Sequence, residues 1–194
     1  MNISLTYGQQ EGIAGDLINP VVPIPGQGFF RAFTTSAVTL TTAAAGSVPV
    51  LFNPANSNVN IHIFAVKIGL AAVATTIGAL LYGIGVGLTF ATTTPGPTII
   101  PGNLSAQNPA ALPGNIAWFT TATASAAPGT LFPSGFSLFT GATTAQITPG
   151  PLDDLLLGSI IIAPGNSFFP LLASANTAAT AIVSVEFYTT AVGK

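Results

Sequence analysis

Phe52-Asn-Pro-Ala-Asn-Ser-Asn-Val-Asn-Ile-His-Ile-Phe-Ala-Val-Lys-Ile-Gly69 is the stretch on which the fold turns. It opens with a polar turn, Asn53 to Asn58, built from Asn, Pro and Ser, whose side chains bond to nearby backbone and set turn dihedrals. It then runs into β-branched and aromatic residues. Val59, Ile61 and Ile63 alternate with Asn60 and His62, the period of a half-buried strand. After Ile63 the phase flips, and Phe64, Val66 and Ile68 alternate with Ala65 and Lys67. A change of face within one strand points either to a bulge or to a strand covered on both sides. Either way the stretch reads as a central strand of a β-sandwich.

Working outward, the same signals repeat. Phe29 to Thr42 reads as two strands or one bent strand, and Val48 to Phe52 as a strand whose Pro49 suggests a sheet edge. Ala79 to Phe90, Ile116 to Thr123, Leu131 to Thr140, Ser159 to Ala163 and Ser167 to Leu172 add further strands. Val183, Val185 and Phe187, alternating with Ser184, Glu186 and Tyr188, make the clearest one. Leu152-Asp-Asp-Leu-Leu-Leu-Gly158 reads as one helical turn or as the beginning of a strand. Seven Pro-Gly pairs, at Pro25, Pro95, Pro101, Pro113, Pro128, Pro149 and Pro164, suit type II turns between short strands. The expected fold is all-β: a two-sheet jelly roll or similar antiparallel sandwich of about eight to ten strands. Residues 1–24 read as an extended arm, because Val21-Val-Pro-Ile-Pro-Gly26 avoids helical dihedrals. Residues 25–194 form the single sandwich domain.

Ile68 to Ala91 is uncharged and long enough for a membrane-spanning helix. Its interior argues for strands instead. Gly83, Gly85 and Gly87 alternate with Ile84, Val86 and Leu88, and Thr75, Thr76 and Gly78 offer a turn. The glycines do not make a dinucleotide fingerprint and read as a strand closely approached by a neighbour.

Composition narrows the function. Charged residues are only 4% of the chain and hydrophobic ones 49%, with a formal net charge of −2. So few ions cannot coat a surface, and exposed apolar patches mark partner surfaces. Three Lys and Arg in total exclude a nucleic-acid-binding face. With no cysteine there is neither a disulfide framework nor a thiolate metal site. The first residues lack the basic and apolar regions of an export signal. A surface suited to an extracellular particle, without that signal, fits a virion protein assembled in the host cytoplasm.

Candidate chemistry is sparse. Asp153-Asp154 lacks the further ligands of a calcium loop and reads as a charged turn. His62 is the lone histidine, and no serine elbow accompanies it. We therefore expect no catalytic, cofactor-binding or metal site, no cofactor and no enzyme activity. Arg31 and Lys67 have either Glu186 or the Asp153-Asp154 turn as partner. Asn2-Ile-Ser4 and Asn103-Leu-Ser105 fit the glycosylation pattern, which is common by chance. Trp118, Phe119, Tyr82 and Tyr188 are the only candidates for a carbohydrate platform, and Trp118 suits a core better.

Two stretches carry a resemblance. Leu51 to Gly69, an aromatic-Asn-Pro turn leading into a strand that ends at Gly, resembles a pattern in small virion proteins of tailed phages. Leu152-Asp-Asp-Leu-Leu-Leu-Gly-Ser-Ile-Ile-Ile-Ala-Pro-Gly165, with the final strand Ala181 to Tyr188, resembles their C-terminal portion. The resemblance implies a capsid-associated jelly-roll protein, a trimeric decoration (cement) subunit that contacts copies of itself and a major capsid protein. No nucleic acid, membrane or small-molecule partner is implied. The alternatives are a filament or sheath subunit joined by strand exchange of the arm, and a tail-fibre or carbohydrate-binding sandwich. The arm and residues 68–91 are the expected contact regions.

Overall fold

The computed structural model describes residues 29–40, 48–72, 78–101, 112–138, 152–172 and 180–192. They form two antiparallel sheets and no helix. The strands are β1 (Phe29–Phe33), β2 (Val38–Thr39), β3 (Val48–Phe52), β4 (Val59–Ala72), β5 (Gly78–Val86) and β6 (Phe90–Pro95). They continue as β7 (Ile100–Pro101), β8 (Ala117–Ala124), β9 (Thr130–Leu138), β10 (Leu152–Ile162), β11 (Asn166–Leu172) and β12 (Thr180–Ala191). The first sheet runs β10-β4-β12-β1-β7, with β2 also on β12; the second runs β6-β8-β3-β11-β5-β9.

Eight of these strands interleave as β1-β12-β4-β10 over β3-β11-β5-β9. The chain crosses from one sheet to the other at nearly every connection, the arrangement of a double-sheet jelly roll. The exception is the step from β5 to β9, both in the second sheet, which carries as an insertion β6 and β8 of that sheet and β7 of the first. The arm 1–24, the Ala43–Ser47 and Thr75–Thr76 turns, Asn2 and Asn103 lie outside the described residues. No helix among the described residues is long and apolar enough to cross a membrane.

The decisive stretch behaves as its pattern requires. β4 is central, between β10 and β12. The phase flip is a bulge: Glu186 faces Ala65 and Phe187 faces Ile63, leaving Phe64 as the extra residue. Ile61 and Ile63 before it, and Val66 and Ile68 after it, all reach the interior. Phe64 instead meets Phe29 edge-on, with ring centroids 5.6 Å apart. The preceding turn is pinned by Asn53, which is wholly buried. Its Nδ2 donates to the carbonyls of Val59 and Ile162, each at 2.9 Å. Its backbone exchanges bonds with Asn166 and Gly165, so the β3–β4 and β10–β11 turns lock together. Buried backbone groups need such partners, and one Asn supplies two of them.

The interior between the sheets gathers Phe30, Ile61, Ile63, Val66, Ile68 and Phe187 from one side with Leu51, Tyr82, Trp118 and Phe168 from the other. Trp118 ties the layers, its indole N–H donating to the Phe33 carbonyl at 2.8 Å.

Several expectations need correction. β3 is not an edge but lies between β8 and β11. Pro49 is accommodated because the β3–β8 register shifts between Val48 and Val50, where no ladder donor is needed. Of the two readings of Leu152–Gly158 the strand holds, and it runs on unbroken to Ile162. Its pattern is hidden by an irregularity between Leu155 and Ile160, where Leu157 and Gly158 both take positive φ. The Ala79–Phe90 strand ends at Val86. The type II turn holds at Ala163-Pro164-Gly165-Asn166, with φ of 84° at Gly165 and a closing Asn166 N–H to Ala163 bond of 3.1 Å. Gly96 and Gly129 have no positive φ, and Gly114 and Asn115 both do, so those Pro-Gly pairs are turns of other kinds.

Candidate functional site

Each sheet has an outer face, and the two differ. Behind the second sheet, Val48, Val50, Ala122, Phe169 and Leu171 form a second apolar cluster, fully or nearly fully buried. The inserted β5–β9 passage covers it. Phe90 packs with ring centroids 5.5 Å from Phe52 and 6.1 Å from both Phe119 and Phe169. Gly83 and Gly85 explain how the cover fits so closely. A Cβ at Gly83 would meet Pro128 Cγ at 2.7 Å, and one at Gly85 would collide with the Leu88 side chain. Gly83 and Gly85 are therefore sites of the close approach their spacing implies, whereas Gly87 lies past the end of β5 with nothing near it.

The first sheet has no such cover among the described residues. Register places its outward residues in three rows. One row is Phe33, Ser184, Lys67 and Asp153; the next is Arg31, Glu186, Ala65 and Leu155; the third is Phe29, Tyr188, His62 and Ile161. Leu155, Leu157 and Ile161, on the edge strand β10, are 60%, 51% and 49% exposed, and Ile182 on β12 is 40% exposed. Large aliphatics so exposed give this edge of the sheet an apolar character; the second sheet exposes Val86, Leu131 and Phe132 at its β5 and β9 edge. Among the described residues β10 pairs only with β4, and no described strand covers its other edge. The positive-φ pair Leu157 and Gly158 bends that edge, which opposes simple strand addition through its middle.

The middle of the face is polar. Glu186 is buried, and its Oε1 accepts from Arg31 Nη2 and from Lys67 Nζ, the latter at 3.0 Å. Thus both internal cations reach the same carboxylate, Glu186. The two cationic side chains are 43% and 41% exposed, so this network is worth little as stability alone. Arg31 Nε and the Ser184 hydroxyl are buried with no hydrogen-bond partner. At the aromatic end, His62 stacks on Tyr188 at 4.6 Å and 5° and shares a 2.8 Å hydrogen bond with Thr190 Oγ1. Burial lowers the His62 pKa below its ordinary value, against a smaller opposite effect of its hydrogen bond to the Gly158 backbone.

The remaining candidates separate. Asp153 stands opposite Lys67 in the ladder, whereas Asp154 accepts a 2.9 Å bond from the buried Tyr82 hydroxyl of the other sheet. Both acids lie within strand β10, so the acidic pair is not a charged turn. Tyr82 is held neutral, its pKa driven far upward by burial first and by the Asp154 charge second. No group of three or more His, Asp or Glu side chains able to hold a metal occurs among the described residues. Of the aromatic platform, Trp118 and Tyr82 are buried, Phe119 packs on the second cluster, and Tyr188 is committed to His62. Of the 68–91 stretch, Ile68, Leu80 and Tyr82 are interior and Val86 is exposed. No protein family, curated protein or solved structure matches the chain.

Proposed function

We propose that this chain is a structural virion protein, a capsid-associated decoration subunit that stabilises a phage head through subunit–subunit contacts. The observation carrying this reading is the uncovered outer face of the first sheet, with its aliphatic rim at Leu155, Leu157, Ile161 and Ile182. A chain with 4% charged residues has little else to keep such a face in water. Covering it is favourable by roughly 25 cal/mol per Å² of apolar surface, and several copies engaged at once add avidity without further contacts. The jelly-roll strand order is compatible with this role but does not select it, since the same fold serves lectins and cupins. The role is structural, not catalytic, and the face engages copies of the chain and a major capsid protein.

Protein identification on gradient-purified virus particles from the source tests the reading. Within the sequence trypsin can cut only after Arg31 and Lys67, so chymotrypsin, which can use the 13 Phe, is the better protease. Peptides of this chain in fixed ratio to the major capsid protein are expected. Their absence from particles, with the chain found in cell-surface filaments, would favour the second reading. That reading, a filament subunit, draws on the open β10 edge.

A further inference from the structure

β10 carries a bulge whose shape its ladder does not fix. Leu155 stands opposite Ala65 and Ile160 opposite Ile63, so residues 156–159 pass a single β4 residue, Phe64. Within the bulge Leu157 takes φ 51° and Gly158 φ 80°. A positive φ is uncommon for leucine and persists only where the surroundings hold it. The Leu157 side chain is half exposed, so its own packing supplies little of that hold.

The hold comes from beneath, at Gly158. A Cβ on that residue would stand 2.5 Å from the Tyr188 hydroxyl oxygen, and its backbone is hydrogen-bonded to His62. The His62 ring also stacks on Tyr188 and meets Thr190 Oγ1 through Nε2. From its place on β4, one imidazole thus ties the β10 bulge to β12. The Gly158 bond favours the protonated ring, which identifies it as a ring N–H given to the Gly158 carbonyl. With Nε2 on Thr190, the neutral ring carries its proton on Nδ1 and accepts the Thr190 hydroxyl.

A second proton would go to Nε2, and Thr190 would have to turn its hydroxyl to accept. The groups around the ring do little for the new charge. On β12, Glu186 stands in the next row and already accepts from Arg31 of β1 and Lys67 of β4. On β10, Ile161 shares the row of His62 and Leu155 the next; Asp153 stands two rows away, and Asp154 is bonded to Tyr82. Tyr188 is the remaining titratable neighbour, and its ring face offsets only part of the lost hydration.

We propose that His62 is an acid-sensitive latch on the β10 bulge: neutral, it holds Gly158 in place, and protonated, it swings to water and lets residues 156–159 open. Burial keeps the His62 pKa below its ordinary 6.5 in the closed form. The hydrated ring of the open form regains the ordinary value, so opening is favoured as pH falls through that window. Leu157 lies between Leu155 and Ile161, so acid reshapes the exposed aliphatic edge. The latch lies within one chain and does not depend on the assembly reading.

Nuclear magnetic resonance on the full chain between pH 7.5 and 5.0 tests this. Three signals are followed: the His62 ring, the Leu157 Cα and Cβ shifts that report φ, and amide exchange at residues 156–159 divided by the intrinsic rate at each pH. Protection of the bulge should fall three-fold or more as His62 titrates, with the Leu157 shifts moving toward coil values and residues 183–187 of β12 unaffected. In His62→Asn, and in His62→Phe, which keeps a ring on Tyr188, neither bulge signal should follow pH. Gly158→Ala, strained by its φ and by Tyr188, should show an open bulge already at pH 7.5. The same pH response in both His62 variants would overturn the proposal. So would a His62 ring that titrates while the Leu157 shifts and bulge protection stay constant, or one that stays neutral to pH 5.0.

Discussion

Behind the second sheet, the chain folds its own insertion over a row of aliphatic and aromatic residues, and two glycines remove the side chains that would obstruct it. Behind the first sheet, no described residue covers the exposed aliphatics of β10, which lie beside a small ionic cluster. The sequence uses the same kinds of residue in both places: Leu81 and Leu171 on one side, Leu155 and Ile161 on the other. What differs is whether a later segment returns to cover them. A sheet face is thus a surface or a core according to topology, not composition. The face this fold leaves uncovered is the one where a partner is to be sought.

The largest effect should come from opening the covered face. Phe90→Ala removes the ring that meets Phe52, Phe119 and Phe169. A half-buried aromatic of this kind should contribute about 2–4 kcal/mol, seen as a drop of several degrees in thermal unfolding. The same variant should gain binding of a hydrophobic dye. Unchanged stability would mean that the insertion does not hold the cover.

Gly85→Val attacks the fit from beneath. Its side chain enters space held by Leu88, and overpacking of this kind costs about 1–3 kcal/mol, measurable by denaturant titration. The matching change on the open face should do little to the fold. Leu155→Ser with Ile161→Ser should shift stability by only about 0.5 kcal/mol, while reducing self-association in a sedimentation experiment. A large loss of stability there would show that the open face is supported from within the subunit, erasing the contrast.

The smallest effect is a pH dependence at the aromatic end of the open face. Burial places the folded His62 pKa below the ordinary 6.5. Between those two values the unfolded chain binds more protons than the folded one, so stability falls as pH drops through that window and is fully present above it. His62→Asn should flatten this slope in unfolding curves taken from pH 7.5 downward. A slope unaffected by the substitution would assign it to the carboxylates.

Local pattern carried much of this architecture. The Asn53–Asn58 turn, the long strand after it, the bulge behind its phase flip and the close approach at Gly83 and Gly85 all follow from residue types at short spacing. The failures have local causes too. β10 was read only as two pieces, with its first half left between helical turn and strand, because positive φ at Leu157 and Gly158 breaks the period of two. β6 was hidden in a Thr-rich run, where Thr92 at φ 50° and a shifted register give no alternation. Pro49 suggested an edge because the register shift that shelters it depends on β8, more than 60 residues away. The open face was the least legible part. Arg31 and Glu186 are 155 residues apart, and nothing local says that Asp154 turns inward to Tyr82 while Asp153 stands across from Lys67. The choice between covered and uncovered face rests on where the insertion returns, a long-range property that alternation does not encode.

The most direct test of the central claim is the mass in solution, by light scattering over a dilution series, of the wild-type chain beside Leu155→Ser with Ile161→Ser. The expected result is a discrete wild-type oligomer that persists on dilution and a double variant shifted to monomer, with matching unfolding temperatures. A wild-type monomer at all concentrations, or a double variant that assembles as the wild type does, would contradict the claim that the open first-sheet face is where this protein assembles.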